Sequence, residues 1–269
     1  MDPMPSQDSA AATVRLDVRA HVAWLTIDRP PLNILDIPTN RALAAQIRAL
    51  AARDDVRVVA LAGAGPRAFC AGVEIADHAR GRVGAMLEAF HGVFRALLEL
   101  GRPTVAVVRG AAQGGGCELV LFADAAIASD QATFGLPEIA LGCFPPIAAL
   151  LLPHVIGAHR AAELMLTGNP IDALRAQAIG LVNEVAPRAS FDAAAEAFVA
   201  RFARHSGAAL GLAREALQPA VLGGRTREDF LRELARVEAL YLERLMATHD
   251  ANEGIAAWGE KRAPRWQDR

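Results

Sequence analysis

The chain is predicted to fold as an α/β domain layered around a sheet, followed by a helical C-terminal region. Three observations carry that prediction. Of 269 residues, 53% are hydrophobic and only 5% aromatic, so the core is built from Ala, Val, Leu and Ile. That is ample apolar surface to offset chain entropy, which excludes a disordered chain. In the middle of the sequence, short apolar runs and amphipathic stretches recur in the order strand, strand, helix, the pattern of helices laid over a sheet. After about Pro187 the strand signals stop and only helical periodicity remains. The expected organisation is a disordered lead-in over 1–12, an α/β core over 13–187 and a helical region over 188–269.

Thr13–Arg19 and Val22–Asp28 flank a tight Ala20-His21 turn and read as a β-hairpin. Asp36 then opens a helix to about Arg53, with Leu43, Ile47 and Leu50 at helical spacing. Val56–Leu61 is a continuous apolar run of the kind buried in a parallel sheet. A Gly/Pro turn over Gly63–Pro66, a short strand at Ala68–Ala71 and a helix from about Arg82 to Leu100 follow. In that helix Met86, Phe90, Val93, Leu97 and Leu100 form one stripe. Thr104–Val108 is a strand, Gly114-Gly115-Gly116 leads into a helix carrying Glu118, and Ala125–Ala128 is again a strand. Phe191–Ala203, Ala208–Val221 and Thr226–Ala247 read as helices. The last opens with a Thr226-x-x-Asp229 capping box and continues through Phe230, Leu234, Val237 and Tyr241. Apolar stripes that a region of this kind cannot bury itself are expected to pack on another subunit.

Several function classes are excluded early. A net charge of −2 argues against a nucleic-acid partner, which wants a strongly basic face. The richest apolar segment, Val105–Ser129, is broken by Arg109, Glu118 and Asp124, so no membrane span is expected. Residues 1–12 have neither the basic nor the apolar region of a secretory signal. Cys70, Cys117 and Cys143 are odd in number and lack CxxC spacing, against a disulfide framework or a metal site. Cytoplasmic residence is the resulting expectation. Lys261 is the only lysine among 28 basic residues, which reads as composition bias.

Gly63-Ala-Gly65-Pro-Arg-Ala68 imitates a dinucleotide fingerprint, but a second strand follows where a phosphate-binding helix should start. Cys70 and Cys117 read as packing residues, and His78 and His91 as ordinary helix or loop residues. The informative constellation is elsewhere. Phe69-Cys70-Ala71-Gly72-Val73-Glu74-Ile75 ends a strand, Gly114-Gly115-Gly116-Cys117-Glu118-Leu119 starts a helix, and Phe134-Gly135-Leu136-Pro137-Glu138-Ile139 leaves another strand. Glycine-flanked turns offer bare backbone N–H groups to a developing negative charge. Two carboxylates on neighbouring turns suit proton transfer. Taken singly, Glu118 reads as a first-turn glutamate satisfying its own helix dipole and Glu138 as a surface turn residue; the three segments in order point to chemistry.

These segments resemble the enoyl-CoA hydratase/isomerase (crotonase) superfamily from about Val14 to Trp266. The markers are Pro31-Leu32-Asn33, Ala68-Phe69-Cys70-Ala71-Gly72, Gly114 to Glu118 with Leu119, and Ala123-Asp124. Further matches are Phe134 through Gly142, Leu166-Thr167-Gly168, Ala178-x-Gly180-Leu181-Val182 and Glu260-Lys261-Arg262. The resemblance implies a crotonase-type α/β fold with a helical trimerisation region, hence a homotrimer or dimer of trimers. It also implies an oxyanion hole from the N–H groups of Ala71 and Gly115, and Glu118 and Glu138 as the catalytic pair. Members that isomerise commonly lack one of that pair, so hydration of an α,β-unsaturated acyl-CoA is the leading expectation. The alternatives are an isomerase, another enolate-forming enzyme, or a catalytically silent scaffold of the same fold.

No separate cofactor is implied, because coenzyme A enters as part of the substrate. For its binding, the resemblance points to Glu74 and Ile75 at the adenine and to Lys261, from a neighbouring subunit, at the phosphates. Where members carry a basic residue before the Leu-Asn turn, this chain has Pro30 and Pro31, with Arg29 one step earlier. After Gly142, Cys143-Phe144-Pro145-Pro146-Ile147-Ala148-Ala149 replaces a glycine-rich stretch. With His78, that segment is expected to wall the acyl pocket. It resembles members that hydrate cyclohexa-1,5-diene-1-carbonyl-CoA.

Overall fold

The hairpin sets the edge of the fold. In the computed structural model, which describes residues 13–269, β1 (Val14–Arg19) pairs antiparallel with β2 (Val22–Ile27) in the register Val14 to Ile27. Ala20 and His21 both take positive φ, 47° and 63°, the left-handed pair that matches the strand twist. The expected lead-in over 1–12 lies outside the described residues.

Asp36 caps α1 (Ile37–Leu50), its carboxylate accepting from the Thr39 N–H at 2.9 Å. The chain then passes through β3 (Val58–Gly63), β4 (Ala68–Cys70), α2 (Val83–Glu99), β5 (Thr104–Val108), β6 (Ala111–Gln113), α3 (Gly115–Phe122), β7 (Ala125–Ser129) and β8 (Thr133–Gly135). Each strand–strand unit sends its first strand to one sheet and its second to another. The larger sheet runs β1-β2-β3-β5-β7-β10, where β10 is Glu184–Ala186, and the smaller runs β4-β6-β8-β9, where β9 is Ile171–Asp172. The predicted strand–strand–helix repeat is therefore two sheets wound together. Gly63 marks one crossing: a Cβ there would lie 2.1 Å from the Phe69 carbonyl oxygen. The first dinucleotide-like glycine thus serves a chain crossing, while Gly65 takes a left-handed turn at φ 75° with nothing within 4 Å of its Cβ position.

Strand β6 was not expected. Ala-Ala-Gln has no β-branched residue to announce it, and its pairing with β4 and β8 holds it in place. Helices α4 (Pro146–Ile156), α5 (Ala158–Thr167) and α6 (Ala173–Ala178) also extend beyond the sequence reading. Pro146 stands at the start of α4, where its missing N–H costs nothing.

The core lies between the sheets and beneath α1 and α2, with Leu25, Leu43, Ile47, Phe69, Phe94, Leu97 and Phe134 buried. Helix α7 (Phe191–Ala203) covers the outer face of the larger sheet with Phe191, Phe198 and Val199. No residue of helix α8 (Gly207–Val221) is fully buried, and its Leu212 and Leu217 are 68% and 60% exposed.

The predicted helix over Thr226–Ala247 is broken. Thr226 caps α9 (Arg227–Ala239), and its Oγ1 accepts from the Asp229 N–H at 3.1 Å. The chain then widens into a π-helical turn over Leu240–Arg244, tightens through Leu245–Ala247 and enters α10 (His249–Gly259). Such a turn re-aims side chains relative to the helix before it, and Tyr241 points into the fold at 2% exposure. His91 is buried on α2, where its Nδ1 meets Glu238 of α9 at 2.5 Å and ties the two helices together.

Candidate active site

Asn33 builds one wall. It holds φ at 55°, and its buried amide donates to the carbonyls of Ala64 and Ala68 at 2.9 Å and Phe69 at 3.3 Å. That fixes the strand leading to Ala71. Leu35 then donates to the Gly72 carbonyl at 2.9 Å, and its own carbonyl accepts from the Glu74 N–H at 3.0 Å. In a parallel bridge of this kind the residue between, Val73, turns its own N–H to the opposite side. Val73 lines the cavity there.

This corrects one sequence expectation. The Ala71 N–H donates to the Leu32 carbonyl at 3.0 Å and is not free to bind an oxyanion. The available donor on this segment is Val73, two residues on. Gly115 fits its expected position: it is the first residue of α3, so its N–H has no intrahelical acceptor. It lies beside Gly72, where a Cβ would stand 3.7 Å from the Gly115 nitrogen.

Glu118 sits in the first turn of α3 at 2% exposure. It does not cap its own helix. Its Oε1 accepts from the Ala148 N–H at 2.9 Å, in the first turn of α4, a second helix start aimed at the same carboxylate. Burial pushes Glu118 up to about 7, while the N–H groups of Ala148 and Ile147 pull the other way. Glu138 lies on a 3-10 turn, Pro137–Leu141, entered from β8. Burial first, and the Glu118 charge second, push it up to about 8. Its Oε2 is buried without a hydrogen-bond partner. Gly114, at φ 52°, is required beside it, since a Cβ would lie 2.7 Å from Glu138 Oε1.

These groups face one cavity of about 90 Å³. Val73, Ile75 and His78, all half-buried, line it, and Met86, Leu87, Phe90, Phe144 and Tyr241 make its apolar wall. His78 Nδ1 contacts the Glu74 carbonyl at 3.1 Å, and burial lowers its pKa. The cavity therefore gathers Glu118, Glu138, Gly115, Ala71, Ile75, His78 and Phe144 from the expected set.

Three expected binding residues lie off this cavity. Arg29 pairs with Asp36 at 3.0 Å and Glu74 at 3.5 Å, and donates to the Ile34 carbonyl. Its charge is paired within this chain, along with that of Glu74. Lys261 is exposed just past α10 and lines no part of the cavity in this chain. Val73 and Tyr241 line the cavity and were missed by sequence reasoning; Tyr241 reads there as one more position of an apolar stripe. The three cysteines are free and buried, and burial pushes the Cys70 thiol up to about 12, as packing residues require.

A chain of paired sheets with two buried carboxylates opposite two helix-end and strand-end N–H groups defines a class. The sequence pattern of the enoyl-CoA hydratase/isomerase family matches residues 17–269, and the chain belongs to that family. Cyclohexa-1,5-dienecarbonyl-CoA hydratase of Thauera aromatica is 35% identical over 266 residues, covering 98% of this chain and all of that protein. A probable enoyl-CoA hydratase, echA8, of Mycobacterium tuberculosis is 33% identical over 96% of this chain and 98% of its own length. Among solved structures, an enoyl-CoA hydratase from Mycobacterium avium subsp. paratuberculosis superposes with a TM-score of 0.84 at 29% identity, covering 96% of this chain and 99% of that one. The fold and reaction class expected from the sequence are met. Among the described residues no helix is long and apolar enough to cross a membrane.

Proposed function

We propose that this chain adds water reversibly to a short or cyclic α,β-unsaturated acyl-CoA, with Glu118 and Glu138 as the acid–base pair. The observation that carries the reading is two buried carboxylates, both pushed toward neutrality, on one small cavity. Near pH 7 such a pair holds one proton between them and titrates as a unit. Glu138, pushed further and lacking a partner at Oε2, is the better acid. Glu118, held by the Ala148 N–H, is the better base.

The thioester oxygen sits between the Val73 and Gly115 N–H groups, which stabilise the enolate-like charge as it develops. Losing one such donor typically costs about 3–4 kcal/mol. Glu118 takes a proton from water, whose oxygen bonds the β-carbon. Glu138 gives its proton to the α-carbon. The proton on Glu118 then returns the pair to its starting state. Moving a proton between carbons needs only one such group, so the second buried carboxylate favours hydration over isomerisation.

The cavity is small, about 90 Å³, and walled by apolar side chains, which supports a short or six-ring acyl group over a long chain. The substrate named for the Thauera relative, cyclohexa-1,5-dienecarbonyl-CoA, is in accord with that size. The exposed leucines of α8 support assembly into a homotrimer or a dimer of trimers in the cytoplasm, with Lys261 reaching the coenzyme A phosphates of a neighbouring subunit. The test is decay of enoyl-thioester absorbance with crotonyl-CoA and cyclohexa-1,5-dienecarbonyl-CoA side by side. Hydration of either supports the reading. No decay with any enoyl-CoA returns the chain to the silent-scaffold alternative.

A further inference from the structure

The turn that carries Glu138, Pro137–Leu141, is a surface element, with Pro137, Ile139 and Ala140 exposed. Its backbone closes on itself: the Gly142 N–H donates to the Ile139 carbonyl and the Cys143 N–H to the Glu138 carbonyl, each at 3.0 Å. The turn therefore moves as one body. Glu138 Oε2 has no hydrogen-bond partner, so the place of the carboxyl follows the backbone beneath it. That backbone lies directly against α10. A Cβ at Gly254 would lie within 2.5 Å of the Leu141 carbonyl, and one at Gly142 would lie 2.8 Å from the Asp250 carbonyl oxygen. Backbone meets backbone at both points, and packing of that kind transmits a displacement instead of absorbing it.

Helix α10 is itself held by the end of the chain. Lys261 takes a left-handed φ of 55°, and the Arg262 N–H closes on the Ala257 carbonyl at 3.0 Å, a helix stop that turns the chain back along α10. Glu253 then accepts from the Arg265 N–H at 2.8 Å and from the Arg262 guanidinium at 2.9 Å. The Asp250 carboxylate accepts from the N–H groups of Gln267 and Asp268, each at 2.8 Å. Between these ties the Trp266 ring reaches to 3.0 Å from the Gly254 Cβ position, the same point that the Leu141 carbonyl crowds. Resting on the hydratase reading of the same site, we propose that α10 and this tail form a clamp that positions the general acid. Gly254 sets how closely the Glu138 turn seats on the helix, and Asp250 and Glu253 tie the tail that holds the helix there. None of the three lines the cavity; they are positioning residues that act through Glu138.

Gly254→Ala pushes the turn off the helix and carries the acid with it. Hydration kcat should fall about tenfold to a hundredfold, the range of a displacement of about 1 Å at a catalytic group. Calorimetric titration with butanoyl-CoA, which cannot be hydrated, should show affinity within about threefold of wild type and an unchanged number of sites. A merely structural glycine would lower kcat and the number of binding sites in proportion, as the folded fraction falls. Gly259→Ala is the control, in the same helix with nothing within 4 Å of its Cβ position; its kcat should stay within about twofold of wild type. Should Gly254→Ala not fold, Asp250→Asn and Asp250→Ala loosen the clamp from the surface. Asparagine keeps one acceptor oxygen for the tail and alanine none, so kcat should fall in that order, by about threefold or more for alanine, with the number of sites unchanged. The proposal is overturned if Gly254→Ala keeps kcat within about twofold of wild type, if it loses kcat and sites alike, or if Gly259→Ala loses as much. Equal kcat in wild type, Asp250→Asn and Asp250→Ala overturns it too. Those outcomes leave the hydratase reading standing, which falls only if the wild type turns over no enoyl-CoA and then takes the proposal with it.

Discussion

Replacing Glu138 with glutamine should make the protein more stable, and increasingly so as the pH rises. Glutamine copies the shape of the protonated carboxyl and never ionises. In the folded chain burial and the Glu118 charge raise Glu138 from the usual 4.5 to about 8. Between those values the folded state binds more protons than the unfolded state, so wild-type stability falls with rising pH. Below pH 4.5 the carboxyl is protonated in both states and contributes no penalty; above pH 8 the penalty is complete. At about 1.4 kcal/mol for each tenfold in acidity, the ceiling is about 4–5 kcal/mol. Because Glu118 shares the pair's proton, about 2–4 kcal/mol is expected at pH 8. At about 2 °C per kcal/mol for a chain of this size, and with part of the penalty already present at pH 5, the variant's Tm advantage should grow by roughly 3–6 °C from pH 5 to pH 8. Thermal unfolding at one protein concentration across that range reads it directly. Any offset from burying the amide is the same at every pH and cancels. A difference that stays flat, or that turns against glutamine at high pH, refutes the claim that this carboxylate is ionised at a cost.

Asn33→Ala strips three carbonyls of their buried donor, and should cost about 2–3 kcal/mol in denaturant unfolding while lowering kcat through the Val73 segment. Gly114→Ala places a Cβ 2.7 Å from Glu138 Oε1 at a φ that side chains rarely adopt. It should lower kcat at least about tenfold through a displaced acid, with acyl-CoA affinity within a few fold by calorimetry. Lys261→Ala should raise KM more than it lowers kcat in steady-state hydration, and unchanged kinetics would return this lysine to a solvated tail charge.

The sequence carried the strand–strand–helix rhythm because β2, β3, β5 and β7 of the larger sheet are apolar runs and α1 and α2 keep their stripes. It carried Glu118, Glu138 and Gly115 because their glycine and proline neighbours hold those turns. It could not say which N–H on Ala71-Gly72-Val73 faces the cavity. That depends on Leu35, which reaches the segment from 36 positions before Ala71 and turns the donors one way or the other. Nor does a helical stripe announce a π turn, so Tyr241 reads as core until its re-aimed ring is seen beside Phe144. Strand β6 and the Glu118 contact with α4 are likewise tertiary: the one is three residues held by flanking strands, the other a helix start that follows two prolines. Arg29 was legible as a charge but not as one already neutralised by Asp36 and Glu74.

The central claim is that two carboxylates divide one proton and one water between them. It is tested most directly by the hydration rate of Glu118→Gln and Glu138→Gln on the better of the two enoyl-CoA substrates, with acyl-CoA affinity measured in parallel. Each variant should lose at least about a hundredfold in kcat while binding the thioester within a few fold of wild type. Near-normal hydration by either variant would contradict the account.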